Sequence, residues 1–398
     1  MVVGAAVVLS ACGGSSSDGG EGVGAAEGGD ASEAVARDEV AGTDLTTHEV
    51  PLEDVVFDTF DGGSIPLSEA SEDDVLRLRD AIIPIGEPEI TPDNPKPVYV
   101  GPNEDGARDL QPDDAVLGYV TPEGQAFAYP HRILFQHEIV NDTLGGVPTL
   151  VSFCPLCNSG VVFDRRLPDG TELGFGNTSA LYENDLVMYD RQTFSYWWQV
   201  PGRAIVGELS GTALEVLPST TTTWREWLEL HPDTKVLSLD QGFGRDYQPV
   251  TQSAQGIGAA ADAGETPFPI DPKVLADERL PSSTNVIGVE VDGDARAFPV
   301  TGEPEAAHDT VGGEKVVVLL SADGGAAFRP MADGRELTFE VAPGGNGWVD
   351  TQTGTRWDGT GRGVEGQLEG TQLEQLPSRS TFWFAYLSSF PDVTVWMR

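Results

Sequence analysis

Cysteine is scarce in this chain: three residues among 398, of which one is Cys12 and the other two, Cys154 and Cys157, stand alone in the remainder. A second CxxC is missing. That excludes a closed four-cysteine zinc or iron site built within one chain. Lysine is almost missing too, with only Lys96, Lys235, Lys273 and Lys315. Acidic residues outnumber basic ones 64 to 23, a formal charge of −41, and such a surface repels nucleic acid and anionic headgroups. The chain has no Walker loop, no dinucleotide fingerprint, no HExxH and no GxSxG, so the reactions those motifs signal have no support.

Long apolar runs are also missing. Met1 to Cys12 reads MVVGAAVVLSAC, too short to span a bilayer as a helix. It has the character of a secretory h-region. Leu9-Ser10-Ala11-Cys12 resembles the bacterial lipobox, which implies lipidation at Cys12. A basic n-region is missing, so a longer signal upstream is the expectation. Residues 13–50 open on Gly, Ser, Ala, Asp and Glu, the composition of a disordered tether. An anchor followed by a tether predicts an exported protein, lipid-anchored at the outer face of the cytoplasmic membrane or in the cell envelope. The membrane is then its expected partner. Export would also place Cys154 and Cys157 in an oxidising compartment.

The length suffices for two ordinary domains. Residues 51–112 form a Pro-rich and Asp-rich lead-in, interrupted by Ser71 to Arg79, which reads as a short helix capped by Ser71. From Ala115 the chain turns to short apolar runs such as AVLGYV, TLVSF, GVVFD and DLVMYD, punctuated by Gly, Pro, Asp and Asn. These have strand length. Helical segments are few, at Arg132 to Val140 and Thr223 to Leu230. The fold class is therefore mainly β, with α+β the alternative.

An internal repeat is visible. Gly207 to Pro218 (GELSGTALEVLP) matches Gly366 to Pro377 (GQLEGTQLEQLP) at eight of twelve positions. Asp142-Thr143-Leu144-Gly145-Gly146 corresponds to Asp309-Thr310-Val311-Gly312-Gly313, Asp190 to Asp350, Trp197 to Trp357 and Trp224 to Trp383. The spacing stays near 160 residues, which reads as two tandem copies of one β-rich unit, 113–240 and 285–398, with 241–284 as linker. What both copies keep is expected to be scaffold. What only the first has is the better functional candidate. The second copy has no cysteine and no histidine opposite His137.

Tyr129-Pro130, Ile133-Leu134, His137-Glu138-Ile139-Val140-Asn141-Asp142, Cys154-Pro155-Leu156-Cys157 and Leu186 to Thr193 (LVMYDRQT) together resemble the bacterial and archaeal family catalogued as domain of unknown function 3179. The resemblance covers about Ala81 to Ser238 and implies no reaction. The family's recurring residues fall on His137, Glu138, Asn141, Asp142, Cys154, Cys157, Arg165, Asp190 and Arg191. A glycine usually follows the second cysteine in that family; here it is Asn158, which also tolerates positive φ.

Three readings of the cysteine pair compete. Cys-Pro-x-Cys between strands suits a metal knuckle for zinc, copper or iron, its remaining ligands drawn from His137, His131 or a carboxylate or one position left open, with His137 the leading candidate. A thiol–disulfide exchange site is the second, weakened because a strand rather than a helix is expected after Cys157. The third is a static disulfide in a non-enzymatic cell-surface binding module; so small a ring stabilises little. Glu138 is a candidate acid–base group and Arg191 a candidate substrate clamp, since the second copy keeps the aspartate of Asp190-Arg191 but not the arginine. His137 is the candidate catalytic histidine.

Overall fold

The computed structural model describes residues 37–86 and 96–398. Cys12 and most of the expected tether lie outside the described residues. Asp38–Arg398 form one compact unit, and strand outweighs helix as expected from the short punctuated runs.

Two large sheets dominate, and each takes strands from both halves of the chain. In the first, Thr394–Val395, Asp294–Pro299, Asn285–Val291 and Arg379–Phe382 are followed by Ser159–Asp164, Val147–Cys154 and Ile139–Leu144. In the second, Glu305–Val311, Glu314–Leu320 and Gly325–Phe328 are followed by Ser219–Thr223, Ala115–Val120, Ala126–Pro130, Lys235–Leu237 and Tyr99–Val100. Each junction between halves rests on one residue pair, Gly160 with Ser380 and Thr221 with Gly325. The halves therefore exchange strands and share cores.

The same local packing occurs in both halves. Ala115–Val120 and Asn285–Val291 each carry a glycine under an aromatic ring of a helix from the same half. A Cβ on Gly118 would lie 2.2 Å from Trp227, and one on Gly288 would lie 2.2 Å from Tyr386. Only glycine lets each helix, Trp224–Leu230 or Trp383–Ser389, sit that close to its strand. Asp190 and Asp350 likewise repeat one arrangement. Each accepts the indole N–H of a buried tryptophan, Trp197 at 2.9 Å and Trp357 at 3.0 Å. Each also takes a backbone N–H, from Thr193 or Thr353, so the charge is satisfied in the core.

Two segments do more than the sequence suggested. Within the lead-in, Glu72–Leu78 is the expected helix, and Ser71 and Asp74 form a reciprocal capping box. Val56–Asp58 also joins a six-stranded sheet, pairing Phe57 with Ala180. Residues 241–284, read as linker, contain the helix Thr251–Asp262. Its glycines and small residues hide the pattern, and Ile257 and Ala261 join the apolar cluster around the cysteines, so packing overrides weak propensity.

Candidate metal centre

Cys154 ends the strand Val147–Cys154, and Ser159 begins the strand that pairs back on it. The reversal runs through Pro155-Leu156-Cys157-Asn158. Asn158 takes the left-handed conformation at φ 48° that the tight turn requires. Both sulfurs of this knuckle are inside the protein, while Pro155, Leu156 and Asn158 are half-buried. Cys154 and Cys157 are 1% and 0% exposed and belong to the apolar cluster that includes Val161, Leu186 and Phe382. Both are free thiols.

The third member is Asp185, the first residue of the strand Asp185–Asp190. One donor atom from each of Cys154, Cys157 and Asp185 lies within 4.8 Å of the others. The Cys157 thiol donates to Asp185 Oδ1 at 3.0 Å and also lies 3.2 Å from Ser159 Oγ. Backbone N–H groups hold the carboxylate: Leu186 N donates to Oδ1 and Val200 N to Oδ2, both at 2.9 Å. Behind the thiols, Ser159 Oγ donates to Gln199 Oε1 at 2.5 Å, and Gln199 Nε2 donates to Ser152 Oγ at 2.9 Å. The polar groups around the sulfurs are thus fixed by one another.

Burial sets the electrostatics. It raises the Cys154 thiol and pushes Cys157 well above its ordinary value, with the negative charge of Asp185 adding to both. Asp185 itself is pushed up to about 6. Glu138, at the C-terminal end of the helix His131–His137, is left-handed at φ 58°. Its carboxyl is pushed up to about 8, by burial first and then by the charges of Asp185 and Asp58. Asn177 Nδ2 donates to Glu138 Oε2 at 2.7 Å, which opposes that rise. Four potential anions therefore share one buried region; the charge of Asp185 disfavours ionisation of Glu138 and of both thiols, while the thiols' hydrogen bonds favour the ionised Asp185.

Glu138 and Cys154 line a cavity of about 240 Å³. Its other walls are mostly apolar and include Ile82, Leu156 and Leu181. Ser179, also on its wall, takes φ 60° at a bulge between Asn177 and Ala180. Two non-glycine residues in left-handed conformation, Glu138 and Ser179, thus line the cavity beside Cys154. Strain of this kind costs about 1–3 kcal/mol per residue and gathers at functional sites.

His137 is not part of the cluster, which corrects the ligand expected from the sequence. Its Nδ1 meets Ile83 O at 2.7 Å and its Nε2 meets Tyr247 Oη at 2.8 Å. A carbonyl only accepts, so Nδ1 carries the proton and Nε2 accepts from the tyrosine. Burial holds the ring near 4, hence neutral at pH 7. His137 therefore ties the lead-in and the 241–284 segment to one helix, and both nitrogens are used.

Four other candidates also fall outside the cluster, in bonds that hold strands together. Asn141 accepts from and donates to the Phe175 backbone, both at 2.8 Å. Asp142 takes the Tyr99 hydroxyl at 2.9 Å. Arg165 donates to Leu173 O at 2.7 Å and to Asp142 O at 3.2 Å. Arg191 pairs with Asp80 at 2.9 Å and donates to Tyr189 Oη. With Asp190 under Trp197, these residues build the scaffold. Asp185 went unnoticed, yet a signal existed: at the offset that carries Asp190 to Asp350 (160 residues), Asp185 falls on Gly345. It is present in one half only, like the cysteines.

The second half contributes to the site from behind. The Cys157 carbonyl accepts from Phe382 N at 2.9 Å and from Thr381 Oγ1 at 3.1 Å. Asn158 Nδ2 donates to Asn285 Oδ1 at 2.9 Å. Buried Arg379 donates to Val200 O at 2.8 Å, and Val200 N is the group that holds Asp185.

No curated protein and no solved structure matches the chain. One family model does, described as a protein of unknown function, DUF3179, over residues 86–393. That stretch reaches through the second half, beyond the Ala81 to Ser238 range read from the motifs, and it covers most of the chain. The chain belongs to the DUF3179 family.

Proposed function

We propose that this protein is a metalloprotein in which Cys154, Cys157 and Asp185 bind one divalent transition-metal ion, for catalysis or metal handling. The observation that carries this is the convergence of two free thiols and one carboxylate, all buried, within 4.8 Å. Without a cation, burial keeps the two thiols protonated; a divalent ion reverses that balance. Tetrahedral zinc with ordinary bond lengths spaces its ligands about 3.5–3.8 Å apart, so binding asks only small shifts of these side chains. A hard carboxylate beside soft thiolates suits zinc better than copper(I).

Charge counting assigns the fourth position. Two thiolates, one carboxylate and a divalent ion sum to −1. A fourth anionic ligand would place −2 in an apolar interior, which is costly. Glu138 therefore stays protonated as a hydrogen-bond donor. The fourth position is left to water or to an exogenous ligand entering from the cavity, the pattern of catalytic zinc sites. The raised thiol values speak against a redox nucleophile.

The second half serves in this reading as a buttress descended from a duplicated unit, which the matched glycines and Asp–Trp pairs support. The exported, lipid-anchored location belongs to the same proposal and rests on the Leu9 to Cys12 motif. Elemental analysis of protein purified under reducing conditions, for the wild type, Cys157→Ser and Asp185→Asn, tests the metal. One equivalent in the wild type and none in the variants supports it. No metal in any sample refutes it.

A further inference from the structure

We infer that the cavity beside Cys154 is a binding pocket for a small, neutral, largely apolar molecule that presents one electron-pair donor to the metal. This rests on the metal reading above and assigns the ligand class of that same site. The cavity's polar groups lie on its buried side. Cys154 and Asn177 are fully buried and Glu138 is nearly so. Asn177 occupies Oε2 of Glu138, so the other carboxyl oxygen is the hydrogen-bonding group offered to a ligand. The outer rim is formed by Phe60, more than half exposed, and by exposed Pro267. These come from the lead-in and the 241–284 segment, outside both β-rich halves.

Size, polarity and charge each narrow the ligand. At about 240 Å³ the space falls below that of pockets for drug-sized molecules. Walls of Ile82, Leu156, Leu181 and Phe268 favour an alkyl or aryl body and penalise a charged one. The loaded centre is net negative, and Asp58 also lines the cavity. An anion is therefore repelled, and a neutral carbonyl, alcohol, amine or azole is the class that fits.

The test uses full-length protein loaded with cobalt(II), whose visible bands report its coordination, and three probes: 4-phenylimidazole, imidazole and azide. The expectation is that 4-phenylimidazole changes the bands with a Kd at least about tenfold below that of imidazole, from the extra ring buried. Azide at the same concentration changes nothing. Leu181→Trp fills the wall and should retain one cobalt and the thiolate-to-cobalt band while losing the phenylimidazole response more than tenfold. Ile82→Trp, at a second half-buried wall position, makes the same test should Leu181→Trp not fold. Cobalt bound with no response to either imidazole, or with azide the tighter ligand, overturns the pocket and leaves the metal site standing. An undiminished response in the folded Trp variants also overturns it. Failure to bind cobalt at all overturns both.

Discussion

The metal-free protein should lose stability as pH rises through the neutral range, the reverse of the usual behaviour of native carboxylates. Glu138 goes from 4.5 to about 8 on folding and Asp185 from 3.8 to about 6. Below about pH 6.5 this gain of protons is opposed by His131 and His137, which burial holds near 3 and 4 and which the unfolded chain protonates; above it Glu138 still holds a proton that the unfolded chain has lost, so the slope of stability against pH is negative there. The stabilisation is fully present below the unfolded values and is lost as pH passes the folded ones. At about 1.4 kcal/mol per pH unit, Glu138 alone accounts for at most about 5 kcal/mol. Asp185, whose charge is part of what raises Glu138, titrates mostly below that range and adds little there. Even half of the Glu138 figure is a large part of the roughly 5–15 kcal/mol that holds a domain together. The assay is urea unfolding of chelator-treated, reduced protein at pH values from about 6.5 to about 8.5, above the range where the unfolded histidines titrate and across that of Glu138. Glu138→Gln should flatten much of the slope. Added zinc should remove the decline, since its ligands must be deprotonated to bind. A metal-free protein whose stability is level or rises across this window would refute the electrostatic account of the site.

Three further outcomes follow from the same geometry. Thr381→Val removes one of two donors on the Cys157 carbonyl and should cost about 1 kcal/mol, with metal affinity several-fold weaker by chelator competition, although the residue belongs to the half without cysteines. His137→Ala should destabilise the fold by about 2–4 kcal/mol through two lost buried hydrogen bonds, measured by denaturant unfolding, with metal content unchanged. Cys12→Ser should abolish fatty-acid labelling and move the protein from the membrane fraction to the soluble one; labelling that persists would refute the lipobox reading.

The β-rich fold was legible because its strands are short, apolar and punctuated by turn residues, as in Val147–Cys154 and Ser159–Asp164. The knuckle was legible for the same reason: Asn158 permits the left-handed turn that lets Ser159 pair with Cys154. The third member of the cluster, Asp185, was not. His137 is near the cysteines in the family motif but spends both ring nitrogens on Ile83 and Tyr247. Tyr247 lies 110 residues further along the chain, a partner that no local pattern announces. Asp185 reaches the thiols from a strand of a different sheet, a packing that periodicity does not specify. The strand exchange between halves was equally hidden, because Gly160 and Gly325 look like ordinary turn glycines in the sequence.

The most direct test is the metal content of the reduced, full-length protein and three variants. One equivalent of a divalent transition metal per chain is expected in the wild type and in His137→Ala, and almost none in Cys157→Ser or Asp185→Asn. Wild-type protein that binds no metal, or an Asp185→Asn variant that keeps a full equivalent while His137→Ala loses it, would contradict the central claim.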